Sequence, residues 1–149
     1  MISVRRGDPR SPEGRALLEA SQALLRALYP PEDNFFLSID ELCAPHIAFF
    51  IAEEDGRALG CVALAHFGAY GEVKSLFTDP ALRGRGTGAA LMAALEADAR
   101  AQGLPLLRLE TGDDLFAAHR LYQRCGFTIC GPFGDYAEGP HSVFMEKPL

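Results

Sequence analysis

The sequence predicts a mixed α/β fold: antiparallel strands first, then a parallel strand–helix–strand segment, in one sheet with helices on its faces. Three observations predict it. Three strand-like runs follow one another between residues 47 and 78, separated only by tight turns. The second half then alternates a helical stretch, an apolar run of strand length, a second helical stretch and further strands. The chain has 149 residues, 48% hydrophobic and 23% charged, which suits a single packed domain spanning 1–149.

Ile2 to Arg6 reads as a short first strand. Ser11-Pro12-Glu13 opens a helix with a capping hydroxyl, a proline at the first helical position and an acid in the first turn. Leu17, Leu24, Leu25 and Leu28 recur at near-helical spacing until Tyr29-Pro30-Pro31 stops the helix. Residues 31–56 hold acids and no Lys or Arg, with a short helix expected over Ser38 to Ala44. Ile47–Glu53 and Ala58–Phe67 form a hairpin around Glu54-Asp55-Gly56-Arg57. Glu72 to Thr78 is a third strand, whose alternation assigns Val73, Ser75 and Phe77 to one face and Glu72, Lys74 and Leu76 to the other.

Gly84 to Gly88 is a glycine-rich turn, followed by a helix over Ala89–Arg100 that ends near Gly103, with Pro105 beyond. Leu106 to Glu110 is a nearly all-apolar strand, as a central strand covered on both faces would be. Asp113 or Asp114 caps a helix running to about Arg124, and Gly126 is placed to end it in the left-handed region. Phe127–Cys130 and Ser142–Glu146 are strands around a Gly/Pro loop.

Composition narrows the function. Fourteen Lys and Arg against 20 Asp and Glu give a net charge of −6, against the broad basic surface of a nucleic-acid binder. The longest apolar stretches, such as Ile47 to Ala52, are too short to span a bilayer, and Met1 to Arg6 lacks the apolar run of a secretory signal. Cys43, Cys61, Cys125 and Cys130 lack zinc-knuckle spacing and are expected as reduced thiols in a cytoplasmic protein. His46, His66, His119 and His141 show no ligand spacing, so no metal is expected.

The chemistry lies in Thr78-Asp79-Pro80-Ala81-Leu82-Arg83-Gly84-Arg85-Gly86-Thr87-Gly88-Ala89. Glycines between a strand and a helix leave backbone N–H groups unshielded at a helix N-terminus, which carries partial positive charge and donors without internal partners. That makes an anion site suited to a phosphate or diphosphate, with Arg83 and Arg85 as added cations. A Walker A loop fails because Ala89, not Lys, follows Gly88. Gly84, Gly86 and Ala89, with Glu110 at the end of the next strand, match part of a dinucleotide fingerprint. Asp79 to Arg83 intervene before those glycines, and only 39 residues follow Glu110, too few for the rest of a doubly wound sheet.

Arg83, Gly86 and Gly88 also fit Q/R-x-x-G-x-G/A, which resembles motif A of the GNAT N-acetyltransferases. Leu121-Tyr122-Gln123-Arg124-Cys125-Gly126-Phe127 resembles that family's L-Y-x-x-x-G-F segment. The resemblance covers residues 47–130 well. The C-terminal Pro132-Phe133-Gly134-Asp135-Tyr136 and Ser142–Lys147 resemble a YsnE-like branch.

The resemblance implies a GNAT-like acyl-CoA N-acyltransferase fold using acetyl-CoA and no metal. The diphosphate would sit on the amides of Arg85, Gly86, Thr87, Gly88 and Ala89, next to Arg83 and Gly84, and the pantetheine arm would run along Leu76, Phe77 and Thr78. Leu115 stands where many members carry Asn, so that side-chain contact to the arm is missing. Tyr122 is implied as the acid that serves the leaving sulfur, Glu72 as the base, and Tyr29, Asn34 and Tyr136 as acceptor-pocket residues.

Plainer readings stand beside these. Tyr122 has helical spacing with Leu115, Ala118 and Cys125 and could be a core residue, and Glu72 could be a strand-end acid paired with Lys74. The expected function is acetyl transfer to a primary amine of a small molecule or amino acid by direct attack on the thioester. The alternatives are a non-catalytic acyl-CoA-binding sensor on the same fold and a dinucleotide-binding protein. The expected partners are a small-molecule amine and a second copy through an edge strand, with no nucleic acid and no membrane.

Overall fold

The computed structural model describes residues 1–149. A seven-stranded sheet is formed by β1 (Ser3–Arg6), β2 (Ile47–Glu54), β3 (Arg57–His66), β4 (Gly71–Thr78), β5 (Leu106–Gly112), β6 (Thr128–Cys130) and β7 (Ser142–Pro148), in the order β1-β2-β3-β4-β5-β7-β6. Every neighbouring pair is antiparallel except β4 and β5, which are parallel. The helices are α1 (Pro12–Leu28), α2 (Ile39–Leu42), α3 (Thr87–Ala101) and α4 (Phe116–Arg124).

Local signals explain the boundaries. Ser11 caps α1 by accepting the Gly14 N–H at 3.1 Å, with Pro12 at the first helical position. Ser38 and Glu41 form a reciprocal capping box, but α2 is only four residues long because Pro45 follows closely. Gly126 ends α4 at φ +96°. The α4 start differs from expectation: Leu115 is the N-cap residue and neither Asp113 nor Asp114 caps the helix. Asp113 instead faces His141 at 3.2 Å, and the Asp114 N–H donates to the Tyr29 hydroxyl.

Two apolar layers hold the sheet. Leu91, Leu95 and Leu107 are fully buried between the sheet and α3, together with Val73, Leu109 and Tyr122. Phe49, Ile51, Cys61 and Phe77 lie on the opposite face against Leu17 and Leu18 of α1. Each fully buried leucine of these layers contributes on the order of 2 kcal/mol.

The expected β4 alternation is corrected here. Val73 and Phe77 belong to opposite layers, and Leu76 packs with Val73. The register against β3 shifts between Cys61↔Phe77 and Ala63↔Lys74, and Ser75 sits at φ +56°. This is a β-bulge: one extra residue on β4 reverses which face the following side chains take. A period-2 pattern carries no mark of such an insertion.

Candidate active site

The bulge has a direct consequence for the sheet. β4 and β5 pair only at Gly71↔Leu107 and Glu72↔Arg108, although β4 continues to Thr78 and β5 to Gly112. Beyond Glu72 the two strands diverge. The gap opens into a cleft of about 620 Å³ lined by β4 from Val73 to Thr78, by the start of α3, by β5 from Glu110 and by α4. Its other end reaches α1 and the segment Asp33–Phe36.

At one end of the cleft the chain turns through Gly84 (φ +83°) and Gly86 (φ +80°) into α3. Gly86 is the N-cap residue, in a left-handed conformation that costs other residues about 1 kcal/mol or more. Gly88 has a different reason: a Cβ there would meet Leu121 Cδ2 at 2.7 Å, so α3 and α4 approach closely only because it is glycine. The first intrahelical bond runs from the Ala90 N–H to the Gly86 carbonyl. No backbone amide from Arg83 to Ala89 is bonded to a protein oxygen. The Thr87 hydroxyl beside them is buried and also has no partner. Orphaned donors in a helix N-terminus facing a cleft fit a diphosphate.

The structure brings most of the expected residues together. Leu76, Phe77, Thr78, Arg83, Gly84, Gly86, Thr87, Gly88, Ala89, Tyr122, Tyr29 and Asn34 all line the one cleft. The Arg85 side chain lies outside it and faces Glu54 at 3.4 Å, so of the loop's two arginines only Arg83 lines the cleft, with Arg124 of α4 as a second lining arginine. Tyr122, on α4, lines the cleft from the apolar layer under α3, and burial pushes its phenol up, helped by the nearby Glu110 and Cys125. Tyr29 is buried, with its ring 5.3 Å from that of His141 and its hydroxyl accepting the Asp114 N–H at 3.0 Å. Any side chain at Gly112 would collide with the Tyr29 ring. The Asn34 amide donates to the carbonyls of Tyr29 and Pro30.

Glu72 and Tyr136 do not line the cleft; they bind each other. The Tyr136 hydroxyl donates to Glu72 Oε2 at 2.6 Å. Lys74 Nζ lies 3.3 Å from the same oxygen, and donates to the Tyr136 oxygen at 2.9 Å and to the Phe35 carbonyl at 3.0 Å. Burial, together with the adjacent Glu72, raises the Tyr136 phenol. This buried network ties β4 to the C-terminal loop and to the segment after α1.

In the sequence Glu110 stands out only as part of a dinucleotide fingerprint. The structure places it on the cleft wall, where burial raises its carboxyl above the ordinary range against the opposing hydrogen bond from Ser142. Its position one residue past the apolar β5 run was the available signal.

The model of the Acetyltransferase (GNAT) family matches residues 15–127. The chain belongs to the GNAT acetyltransferase family. It is 41% identical to IAA acetyltransferase of Azospirillum brasilense over 99% of this chain and 98% of that protein. It is 37% identical to the N-acetyltransferase YsnE of Bacillus subtilis over 80% and 82% of the two chains. A Klebsiella pneumoniae protein assigned to the acyl-CoA N-acyltransferases superposes with a TM-score of 0.85 at 35% identity, covering 100% of this chain and 98% of that one. The same fold, at 17% identity and a TM-score of 0.74, is seen in an Elizabethkingia anophelis acetyltransferase with acetyl-CoA bound, covering 99% and 98% of the two chains. These relationships make this GNAT protein an N-acetyltransferase of mixed α/β fold. None of its helices is long and apolar enough to cross a membrane.

Proposed function

We propose that the protein transfers an acetyl group from acetyl-CoA to the primary amine of a small molecule or amino acid, by direct attack on the thioester. The observation that carries this reading is the continuity of the cleft. It runs from the free amides of Arg83–Ala89, along Leu76 to Thr78 where β4 has left β5, to the Tyr122 phenol.

The diphosphate is held by the α3 N-terminus and Arg83, and the orphaned Thr87 hydroxyl supplies one further donor. The pantetheine arm takes the backbone edge of β4 that β5 leaves unpaired beyond Glu72. Tyr122 serves the leaving sulfur as hydrogen-bond or proton donor, because its raised phenol stays protonated through the neutral range. The family resemblance implies Glu72 as the base; its carboxylate is held by Tyr136 and Lys74 outside the cleft lining, so within this reading it fixes β4 beside the acceptor end of the cleft.

The acceptor lies between α1, the Asp33–Phe36 segment and β5. The carboxylates there favour a cationic amine, and Leu25, Leu28, Phe35 and Phe36 favour an apolar skeleton behind it. The test is release of free thiol from acetyl-CoA with a panel of phenethylamine, n-hexylamine and single amino acids. Acceptor-dependent thiol release supports the reading. Acetyl-CoA raising Tm without turnover on any amine favours a non-catalytic acyl-CoA sensor instead.

A further inference from the structure

We propose that Glu110, on β5, is the group that receives the acceptor amine and takes its proton; this rests on the acetyltransferase reading above. Side chains of β5 alternate across the sheet. Leu107 and Leu109 enter the layer under α3, while Arg108 and Glu110 face the opposite side. Tyr122 belongs to the α3 layer. Glu110 and Tyr122 therefore reach the gap between β4 and β5 from opposite faces of the sheet. An amine entering from the α1 side meets the carboxylate first, and the sulfur on the other side meets the phenol.

Hydrogen bonding separates Glu110 from Glu72. Glu72 is buried, lies outside the cleft lining and already accepts from Tyr136, with Lys74 beside it. Glu110 accepts one hydrogen bond, from the Ser142 hydroxyl to Oε2 at 2.9 Å, and its Oε1 has no protein donor. Lys74 is the nearby cation, but its ammonium is directed to the Phe35 carbonyl, the Tyr136 oxygen and Glu72. The groups that face Glu110 are Lys74 and Glu72 of β4, Asp33 after α1, Ser142 of β7, and the phenols of Tyr29, Tyr122 and Tyr136. Acids outnumber the one cation, so the vacant side of Glu110 suits an ammonium group. Burial lifts this carboxyl above the usual range, toward the working pH of a general base.

The step balances without a further reactant. The ammonium loses one proton to Glu110, which passes it to water in the open cleft. The nitrogen lone pair forms the N–C bond at the thioester carbonyl, the C–S bond breaks with its electron pair on sulfur, and Tyr122 protonates the sulfur. The surplus proton left on nitrogen goes to Glu110 and through water restores Tyr122. The products are the amide, free coenzyme A and one proton from the original ammonium.

The test compares wild type, Glu110→Gln, Glu110→Asp and Ser142→Ala in acetyl-CoA binding and in the pH profile of kcat/KM on the most active amine of the panel above. Glu110→Gln should bind acetyl-CoA like wild type, lower kcat/KM by roughly 10²–10⁴-fold and abolish the acidic limb of the profile. Glu110→Asp should keep that limb at reduced rate, which separates lost chemistry from lost folding. Ser142→Ala should move the limb to higher pH, because the hydroxyl stabilises the ionised carboxylate. An active wild type with the acidic limb unchanged in Glu110→Gln overturns this inference alone. A wild type that binds acetyl-CoA and acetylates no amine overturns it together with the proposed function.

Discussion

Tyr136 and Glu72, 64 residues apart in the chain, are joined by a 2.6 Å hydrogen bond between phenol and carboxylate. Lys74 lies within 3.3 Å of both partners. The bond fixes the loop before β7 onto the strand that leads into the cleft. Removing the phenol leaves a buried carboxylate with one donor fewer. Tyr136→Phe should cost about 1–3 kcal/mol, which lowers Tm by roughly 2–4 °C per kcal/mol. Acetyl-CoA affinity, read by titration calorimetry, should stay within a factor of two or so of wild type, since Tyr136 does not line the cleft. A large loss of affinity with unchanged Tm would contradict the strut.

Tyr122 makes the opposite prediction. It lines the cleft from α4. Tyr122→Phe should lower kcat by roughly 10²–10⁴-fold while leaving acetyl-CoA affinity nearly unchanged. The raised phenol also means that its ionisation does not limit the rate as pH rises through the neutral range. If Phe at this position binds acetyl-CoA poorly and turns over normally once saturated, Tyr122 shapes the cleft and serves no proton.

Gly86 sits at φ +80° as the N-cap residue of α3. Gly86→Ala strains that turn by about 1–2 kcal/mol and rotates the amides behind it. Affinity for acetyl-CoA should fall at least tenfold, and Tm without ligand should fall by only a few degrees. Gly68→Ala is the control, because it carries similar strain at φ +78° in the β3–β4 turn, outside the cleft lining. Equal effects on affinity in the two variants would remove the loop from the binding site.

Glu110 links the site to stability. Its carboxyl is raised by burial, so the unfolded chain ionises first as pH rises. Its favourable contribution is complete below the ordinary glutamate value near 4.5 and is lost as pH climbs through the raised folded value. Glu110→Gln should therefore unfold at higher temperature than wild type at neutral pH, with the difference closing in acid. A variant less stable than wild type at neutral pH would mean that Ser142 and Lys74 more than compensate the buried charge. Many active sites trade stability for function in this direction.

Cys61 offers a check on the core. Burial pushes its thiol up to about 12, and it sits on β3 in the apolar layer packed against α1. A thiol reagent under native conditions should reach Cys43, Cys125 and Cys130, which are partly exposed, and should label Cys61 only on unfolding.

Much of this architecture was legible locally. Ser11-Pro12-Glu13 and Gly126 are end signals written within a few residues, and the structure uses both. Gly84, Gly86 and Gly88 could be read as a turn into a helix because their reasons are local or one helix away. The bulge at Ser75 was not legible, since nothing in residue type marks a serine at φ +56°. Without it the alternation of β4 comes out wrong and the parting of β4 from β5 is invisible. The Tyr136–Glu72 bond and the vacant edge of Glu110 depend on contacts across β7 and the loops, which no spacing rule connects.

The grip of residues 85 to 89 on a diphosphate is tested most directly by a crystal structure of the protein with coenzyme A. The account predicts diphosphate oxygens within about 3 Å of those amides and of the Thr87 hydroxyl, with the sulfur beside Tyr122. A diphosphate bound elsewhere, with these nitrogens contacting only water, would contradict it.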